Sequence, residues 1–377
     1  MVLGVVGSNP TTCPIVELNI MIKSKDFIKF NKLIKYKMSL KKTKRLIIPS
    51  SVTFEEHCKI NNINTKDVAG YWHKSKYFSL KVNNNNNKIN QENIEEFVKK
   101  SILKLQKYSP KFKVFKRTKH KDSVCAIFPL SDLHIGKKGA ISQVGYKEEY
   151  NEVIAVNRCN EGIDNLIKLS SQFKIDQIVL VLNGDIVHVD GPNNTTTNQT
   201  RQDVSMMWFD AVTTARDLIV NIIEKLLPIA NIKIIHIPGN HDNVCGYMVS
   251  EMIHNYFMKN KNITFDISMS PRKAFSYGSN ICFFDHGDNG KLENIPNLLA
   301  AEYPILWGNA IHRYSYQGHL HHRRTTDLHG ITVRTLRSPS GSDQWHKHKT
   351  YTANIKGMEC FIHDKNKGLI AEFNYIF

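Results

Sequence analysis

The sequence predicts an α/β fold: two β-sheets packed as a sandwich and flanked by helices, preceded by a small, basic, mainly helical N-terminal module. Three observations predict it. Apolar runs of strand length, without alternation, recur between longer runs of helical spacing, the pattern of strands buried on both faces. Clusters of Asp, His and Asn stand just past the ends of those runs, where open α/β sheets place their ligands. The positive charge is confined to one end of the chain. Residues 1–122 hold 26 Lys plus Arg against 9 Asp plus Glu, whereas residues 123–377 hold 25 of each.

The first 20 residues stand apart. Gly7-Ser8-Asn9-Pro10 with Thr11-Thr12-Cys13-Pro14 resembles the translated end of a transfer-RNA gene. Residues 1–20 are therefore expected to be a mis-translated leader, with the true start at Met21 or Met38. Integration of a mobile element or phage beside such a gene would produce this arrangement.

Residues 21–122 form the basic module and its linker. Thr53 to Ile60 and Ile94 to Leu105 read as helices; the second has Asn93 and Glu96 placed as an N-terminal cap, with Ile94, Phe97, Val98, Ile102 and Leu105 on one face. Between them, Lys66 to Val82 interleaves Tyr71, Trp72, Tyr77 and Phe78 with Lys74, Lys76 and Lys81. Such a mixture can stack on and neutralise nucleic acid, or form the core of a helical or winged-helix unit. Core is the reading favoured for Trp72 and Phe78. Asn83 to Asn87 is a low-complexity break, and Lys107 to Lys121 a basic linker. A module of this charge attracts polyanions and gains by releasing their counterions, so nucleic acid, most naturally DNA, is its expected partner. AT-rich coding bias, visible in the abundance of Lys, Asn and Ile, would have acted equally on the balanced remainder.

Residues 123–377 are the expected catalytic domain. Val124 to Phe128 runs into Asp132, Gln177 to Leu182 into Asp185, Ile232 to Ile237 into Asn240, and Ile281 to Phe284 into His286. Glu152 to Phe173 and Asp203 to Leu227 carry apolar residues at helical spacing, the second stopped by Pro228. Tyr314 to Tyr316, Ile331 to Val333 and Leu369 to Ala371 supply strands for a second sheet.

Five clusters carry the chemistry: Asp132-Leu133-His134, Gly184-Asp185, Gly239-Asn240-His241-Asp242, His286-Gly287 and Gly318-His319-Leu320-His321. They offer carboxylate and amide oxygens and imidazole nitrogens, which suit hard and borderline divalent cations, and no thiolate. In this order the clusters resemble the motifs of the calcineurin-like metallophosphoesterases over roughly Val124 to His321. The resemblance implies two divalent metal ions, Mn foremost with Fe and Zn open. It gives Asp132, His134, Asp185 and His321 to one ion, and Asp185, Asn240, His286 and His319 to the other. Two cations about 4 Å apart share a carboxylate, activate a water and hold phosphate oxygens.

The resemblance also gives His241 the place facing the phosphoryl group, with Asp242 orienting its ring. His188, three residues past Asp185, stands where most members have Asp or Asn. It is similar there to the nuclease subunit of the double-strand-break repair complex. It either contacts the substrate phosphate or supports Asp185.

Plainer readings attach to the other residues. His236 fits a core residue with its polar atoms satisfied, and His312, His322 and His329 fit loops or strands. Ser338 to His346, with His348 beyond, either lines the cleft or forms a surface loop, the plainer choice; its wording is similar to that of phage-encoded members of the superfamily. Asp203 is placed to cap the following helix, and the role of Thr195 to Thr197 stays open.

Seven cysteines without a Cys-x-x-Cys pair, two of them in apolar strands, suggest reduced thiols in a cytoplasmic setting. No apolar run reaches transmembrane length. The leading expectation is a metal-dependent DNA phosphodiesterase, a nuclease of a phage or mobile element. A phosphatase or small-nucleotide phosphodiesterase would need no basic module. A non-catalytic nucleic-acid-binding protein is disfavoured because no expected ligand has been replaced.

Overall fold

The computed structural model describes residues 44–49, 54–65, 68–74, 79–83, 112–117, 120–145, 149–351 and 354–377. The chain divides into two compact units, Met1–Lys107 and Tyr108–Phe377. In the first, β1 (Lys44–Pro49) pairs parallel with β2 (Val68–Lys74), which pairs antiparallel with β3 (Ser79–Asn83). Helix α1 (Phe54–Ile60) agrees with the sequence reading, and its Phe54 and Cys58 bury against Val68 and Ile63.

Among the described residues of this unit, strand exceeds helix, which departs from a mainly helical module. Within the segment from Lys66 to Val82, the described residues are those of β2 and β3, because aromatic and branched residues without helical spacing favour an extended backbone. The leader, the helix expected over Ile94 to Leu105 and the core role of Trp72 and Phe78 lie outside what is described.

The second unit begins by seating the expected linker. Phe112 packs against Tyr256 and Phe257, and the backbone of Phe115 exchanges hydrogen bonds with the Asn262 side chain. Arg117 donates to the carbonyls of Leu227, Pro228 and Ile229.

A six-stranded sheet follows. Its parallel strands are β4 (Val124–Leu130), β5 (Ile175–Asn183), β6 (Asn231–Ile237) and β7 (Ile263–Asp266), in that order. A five-stranded sheet is built on β8 (Arg272–Tyr277), β9 (Asn280–Asp285), β10 (His312–Gln317), β11 (Arg324–Leu328) and β12 (Ile331–Thr335), with β9, β10 and β12 parallel. The closing hairpin, β13 (Gly357–Asp364) and β14 (Gly368–Ile376), lies beside β4. Leu369 to Ala371 thus belongs to the first sheet and not the second: β13 returns antiparallel along β4 and carries β14 with it.

Alternation along β4 shows how the layers divide. Val124, Ala126 and Phe128 face α2 (Glu152–Ser170) and α3 (Trp208–Leu226), whose Ile163, Leu166, Ile219 and Ile222 are fully buried. Cys125 and Ile127 face the second sheet, meeting Cys282, Phe284 and Tyr316. The outer side of that sheet is covered by α5 (Ile295–Glu302), through Ile295 and Leu299 on Ile281, Phe283 and Val333. Helix α4 (Asn243–Phe257) completes the cover of the first sheet. The six cysteines among the described residues are buried and form no disulfide. Also among the described residues, no helix is long and apolar enough to cross a membrane.

Candidate metal centre

Every expected ligand lies one to four residues past the carboxyl end of a parallel strand: Asp132 and His134 after β4, Asp185 after β5, Asn240 after β6, His286 after β9, His319 and His321 after β10. Because β4 to β6 run parallel in one sheet and β9 and β10 in the other, these ends converge where the sheets meet. The chain turns sharply there. Asp132, His134, Asp185, His319 and His321 all have positive φ, between 47° and 67°. For a non-glycine residue the left-handed region costs about 1–2 kcal/mol, strain of the kind that persists where surrounding structure enforces a functional geometry.

Two glycines make the convergence possible. A Cβ on Gly184 (φ 80°) would collide with the His286 ring and come within 2.9 Å of the Gly239 Cα, and one on Gly318 would lie 2.7 Å from Asp132 Oδ2.

The structure brings the side chains into two groups. Asp132, His134 and His321 place ligand atoms within 4.8 Å of one another, and so do Asp185, His286 and His319. Asp185 stands between the groups, its Oδ2 3.8 Å from His134 Nε2 and 3.2 Å from His286 Nε2. Asn240 joins the second group through Oδ1, 3.1 Å from His286 Nε2. All seven ligands expected from the sequence therefore meet.

Hydrogen bonds fix their orientation. His286 Nδ1 donates to the Asn183 carbonyl at 2.9 Å, which leaves Nε2 to face the carboxylate. Asp132 accepts the Ser131 hydroxyl and the His319 amide, and lies 3.1 Å from His321 Nε2. Asp185 Oδ1 accepts the His241 amide at 2.8 Å.

The electrostatics match a cation site. Burial alone would raise the pKa of Asp132 and Asp185, but the imidazoles of His321 and His286 outweigh it and hold both carboxylates below their usual range. Burial, reinforced by the neighbouring imidazoles, keeps His134 neutral, with its pKa far below the usual value. Its Nε2 faces His321 Nε2 at 3.2 Å, a contact that requires a proton on one nitrogen or a cation between the two. Carboxylate, imidazole and amide donors in this arrangement fit two divalent ions.

Several expectations change. Asp242 does not touch the His241 ring. Its carboxylate accepts the amides of Asp185 and Val187, both at 3.0 Å, and burial followed by the Asp185 charge pushes its pKa up to about 7. His241 Nδ1 instead bonds the His188 carbonyl at 2.9 Å. The reason is local: Asp242 ends the turn before α4, so its side chain points back to the loop after β5.

His188 supports a different ligand from the one expected. Its Nδ1 lies 3.1 Å from His134 Nδ1, and its ring stacks on His241 at 5.2 Å. Asp203 caps no helix, because α3 starts at Trp208 and residues 203–205 pair instead with residues 136–138.

The run from Ser338 to His346 is not a surface loop. Ser338, Ser340 and His346 are buried, and Ser338 Oγ donates to the Asp132 carbonyl at 2.7 Å. Asp343 caps α6 (Gln344–His348) by accepting the His346 amide. Asp343 also accepts His346 Nδ1 at 2.8 Å and pairs with the fully buried Lys137 at 3.0 Å. His346 stacks on His321 at 5.4 Å, whereas His348 is exposed as expected. The small residues Ser and Gly, and an Asp three places before a His, were the available signal for a packed, capped segment.

The open threonines and Asp190 hold the loop after β6. The amide of Thr197 bonds the Asn240 carbonyl, while Asp190 Oδ1 accepts the first-turn amides of Val244 and Cys245. His236 is buried as expected, but neither ring nitrogen has a hydrogen-bond partner among the described residues.

A cleft of about 460 Å³ opens on the site, lined by His134, Asp185, His188, Asn240, His241 and His346 among others. The family model of the calcineurin-like phosphoesterases matches residues 127–368, well over half of the chain. No curated protein matches significantly. Among solved structures, an archaeal phosphodiesterase is similar at 13% identity and a TM-score of 0.34, covering 67% of this chain and 99% of its own. A dimetal phosphatase from Danio rerio is similar at 11% identity and a TM-score of 0.35, covering 68% and 100%. Vps29 from Chaetomium thermophilum is similar at 12% identity and a TM-score of 0.30, covering 67% and 97%. The family match and the converging strand ends lead to one conclusion: this chain belongs to the calcineurin-like phosphoesterase family.

Proposed function

We propose that the protein is a dinuclear metal-dependent phosphodiesterase acting on DNA, a nuclease of a phage or mobile element working in the cytoplasm. The observation that carries the hydrolase reading is the pair of ligand groups that meet at Asp185, in the wall of the cleft. Asp132, His134, Asp185 and His321 would hold one ion, and Asp185, Asn240, His286 and His319 the other. Bound there, the ions would supply a nucleophilic hydroxide and neutralise the phosphate oxygens.

The chain's own groups do the rest. A carbonyl can only accept, so the bond from His241 Nδ1 to the His188 carbonyl puts the proton on Nδ1. Nε2 is then available to a substrate oxygen, as a donor to the leaving group when protonated. His188 lines the same cleft and supplies a further phosphate contact beside the stacked His241 ring.

The nucleic-acid assignment rests on charge: 26 basic against 9 acidic residues in 1–122, beside a balanced catalytic part. The cysteines among the described residues, buried and in no disulfide, fit a reducing compartment.

The test is purified protein with Mn²⁺ against single- and double-stranded DNA, a phosphoprotein and a chromogenic phosphodiester. DNA and the phosphodiester should be cleaved, and His241→Ala should lower turnover by about 10²–10⁴-fold. Cleavage of the phosphoprotein alone would refute the nuclease reading, and unchanged turnover in His241→Ala would refute the role given to that ring.

A further inference from the structure

We propose that Trp345 and Tyr351 form a stacking subsite for the nucleobase next to the scissile phosphate. The inference deepens the phosphodiesterase reading above and rests on it.

Trp345 and Tyr351 are 53% and 54% exposed, and both line the cleft that holds His134, Asp185, His319 and His321. Single exposed aromatic residues are ordinary on a protein surface. These two are neighbours, with ring centroids 5.7 Å apart, and Leu320 opens onto the same cleft. They also continue a row of rings from the metal site. His346 stacks on His321 at 5.4 Å, and Trp345 meets His346 edge-on at 5.3 Å.

The mounting of Trp345 is rigid in a way that a five-residue helix cannot be by itself. Asp343 takes the amide and the ring Nδ1 of His346 and the ammonium of Lys137, a lysine with no exposed surface. Burying that charge is costly unless it is paired, and the pair with Asp343 supplies the partner. What it fixes here is the turn that presents Trp345 to the cleft.

Charge selects the occupant. Lys347, His348 and Lys349 are exposed beside Trp345, and Asn198, Thr200 and Gln202 also line the cleft. Aromatic faces with cations alongside suit a base flanked by phosphates, and stacking of this kind tolerates any base. A nucleotide ester and a single strand both present that chemistry.

The test uses the full chain. In EDTA, anisotropy of a labelled oligothymidylate is compared with that of an abasic strand of equal length and charge. The parent should bind the thymidylate more tightly. Trp345→Ala should lower that affinity about tenfold and Trp345→Phe should restore most of it. With Mn²⁺, the ratio of kcat/KM for the p-nitrophenyl ester of thymidine 5′-phosphate to that for ethyl p-nitrophenyl phosphate should fall about tenfold in Trp345→Ala, through KM. Equal affinity of parent and Trp345→Ala for both strands, with an unchanged ester ratio, would overturn the subsite. If the parent turned over neither ester, the phosphodiesterase reading would fail instead, and the strand-binding comparison would still decide whether a base is held.

Discussion

Replacing Asp242 by Ala separates two roles for this carboxylate. The side chain is 1% exposed and accepts two backbone amides at 3.0 Å, those of Asp185 and Val187. Removing it leaves two buried donors without partners, at about 1–3 kcal/mol each, so a loss of about 2–6 kcal/mol is expected. For a unit of this size that lowers the unfolding midpoint by on the order of 10 °C. Because one of the amides belongs to Asp185 itself, Mn²⁺ affinity should fall about 10–100-fold. Asp242→Asn, which keeps one acceptor oxygen, should lie between the parent and Asp242→Ala. Thermal unfolding and calorimetric metal titration measure both quantities. A variant with parental stability and metal affinity but a shifted pH profile of turnover would refute the scaffold role and return Asp242 to the His241 ring.

Other consequences can be tested together. In Gly318→Ala the new methyl would displace Asp132 Oδ2, so Mn²⁺ affinity should drop at least tenfold in a calorimetric titration; unchanged affinity would contradict the close packing of that turn. Burial, aided by Lys273 for His236 and by Arg334 for His363, lowers both ring pKa values to about 3. Unfolding frees these rings to take up protons below about pH 6.5, so stability should be lost as pH falls from 6.5 toward 3, by at most about 5 kcal/mol for each ring. Urea unfolding of His363→Gln should show a shallower acid slope, and an unaltered slope would count against the buried neutral ring. Deleting residues 1–122 should destabilise the catalytic unit more than deleting 1–107, because only the longer deletion removes Phe112, Phe115 and the Arg117 contacts; equal midpoints would show those contacts to be idle.

Much of the centre was legible in the sequence because its grammar is local. A buried strand announces itself as an apolar run, and the residues just past its carboxyl end are displayed whatever the rest of the chain does. Asp132, Asp185, Asn240, His286, His319 and His321 could be located in this way, and the order of the clusters pointed to the family. The helices from Glu152 and toward Leu226 followed from spacing, although the start of the second moved to Trp208, since residues 203–205 found extended partners elsewhere.

Tertiary structure alone decided the partners. His188 lies 54 positions from the His134 ring it meets, Asp242 lies 57 from the Asp185 amide, and Ser338 lies 206 from the Asp132 carbonyl. Which of these approach depends on sheet order and strand register, and a change of either would exchange one neighbour for another without altering any local pattern. The same cause hid the burial of Ser338 to Ser342, whose small and polar residues read as a loop until packing against the strand ends enclosed them. Local pattern therefore displayed the residue types that could hold metal and the order of the clusters pointed to a ligand set, while the meeting of two sheets decided what orients those side chains.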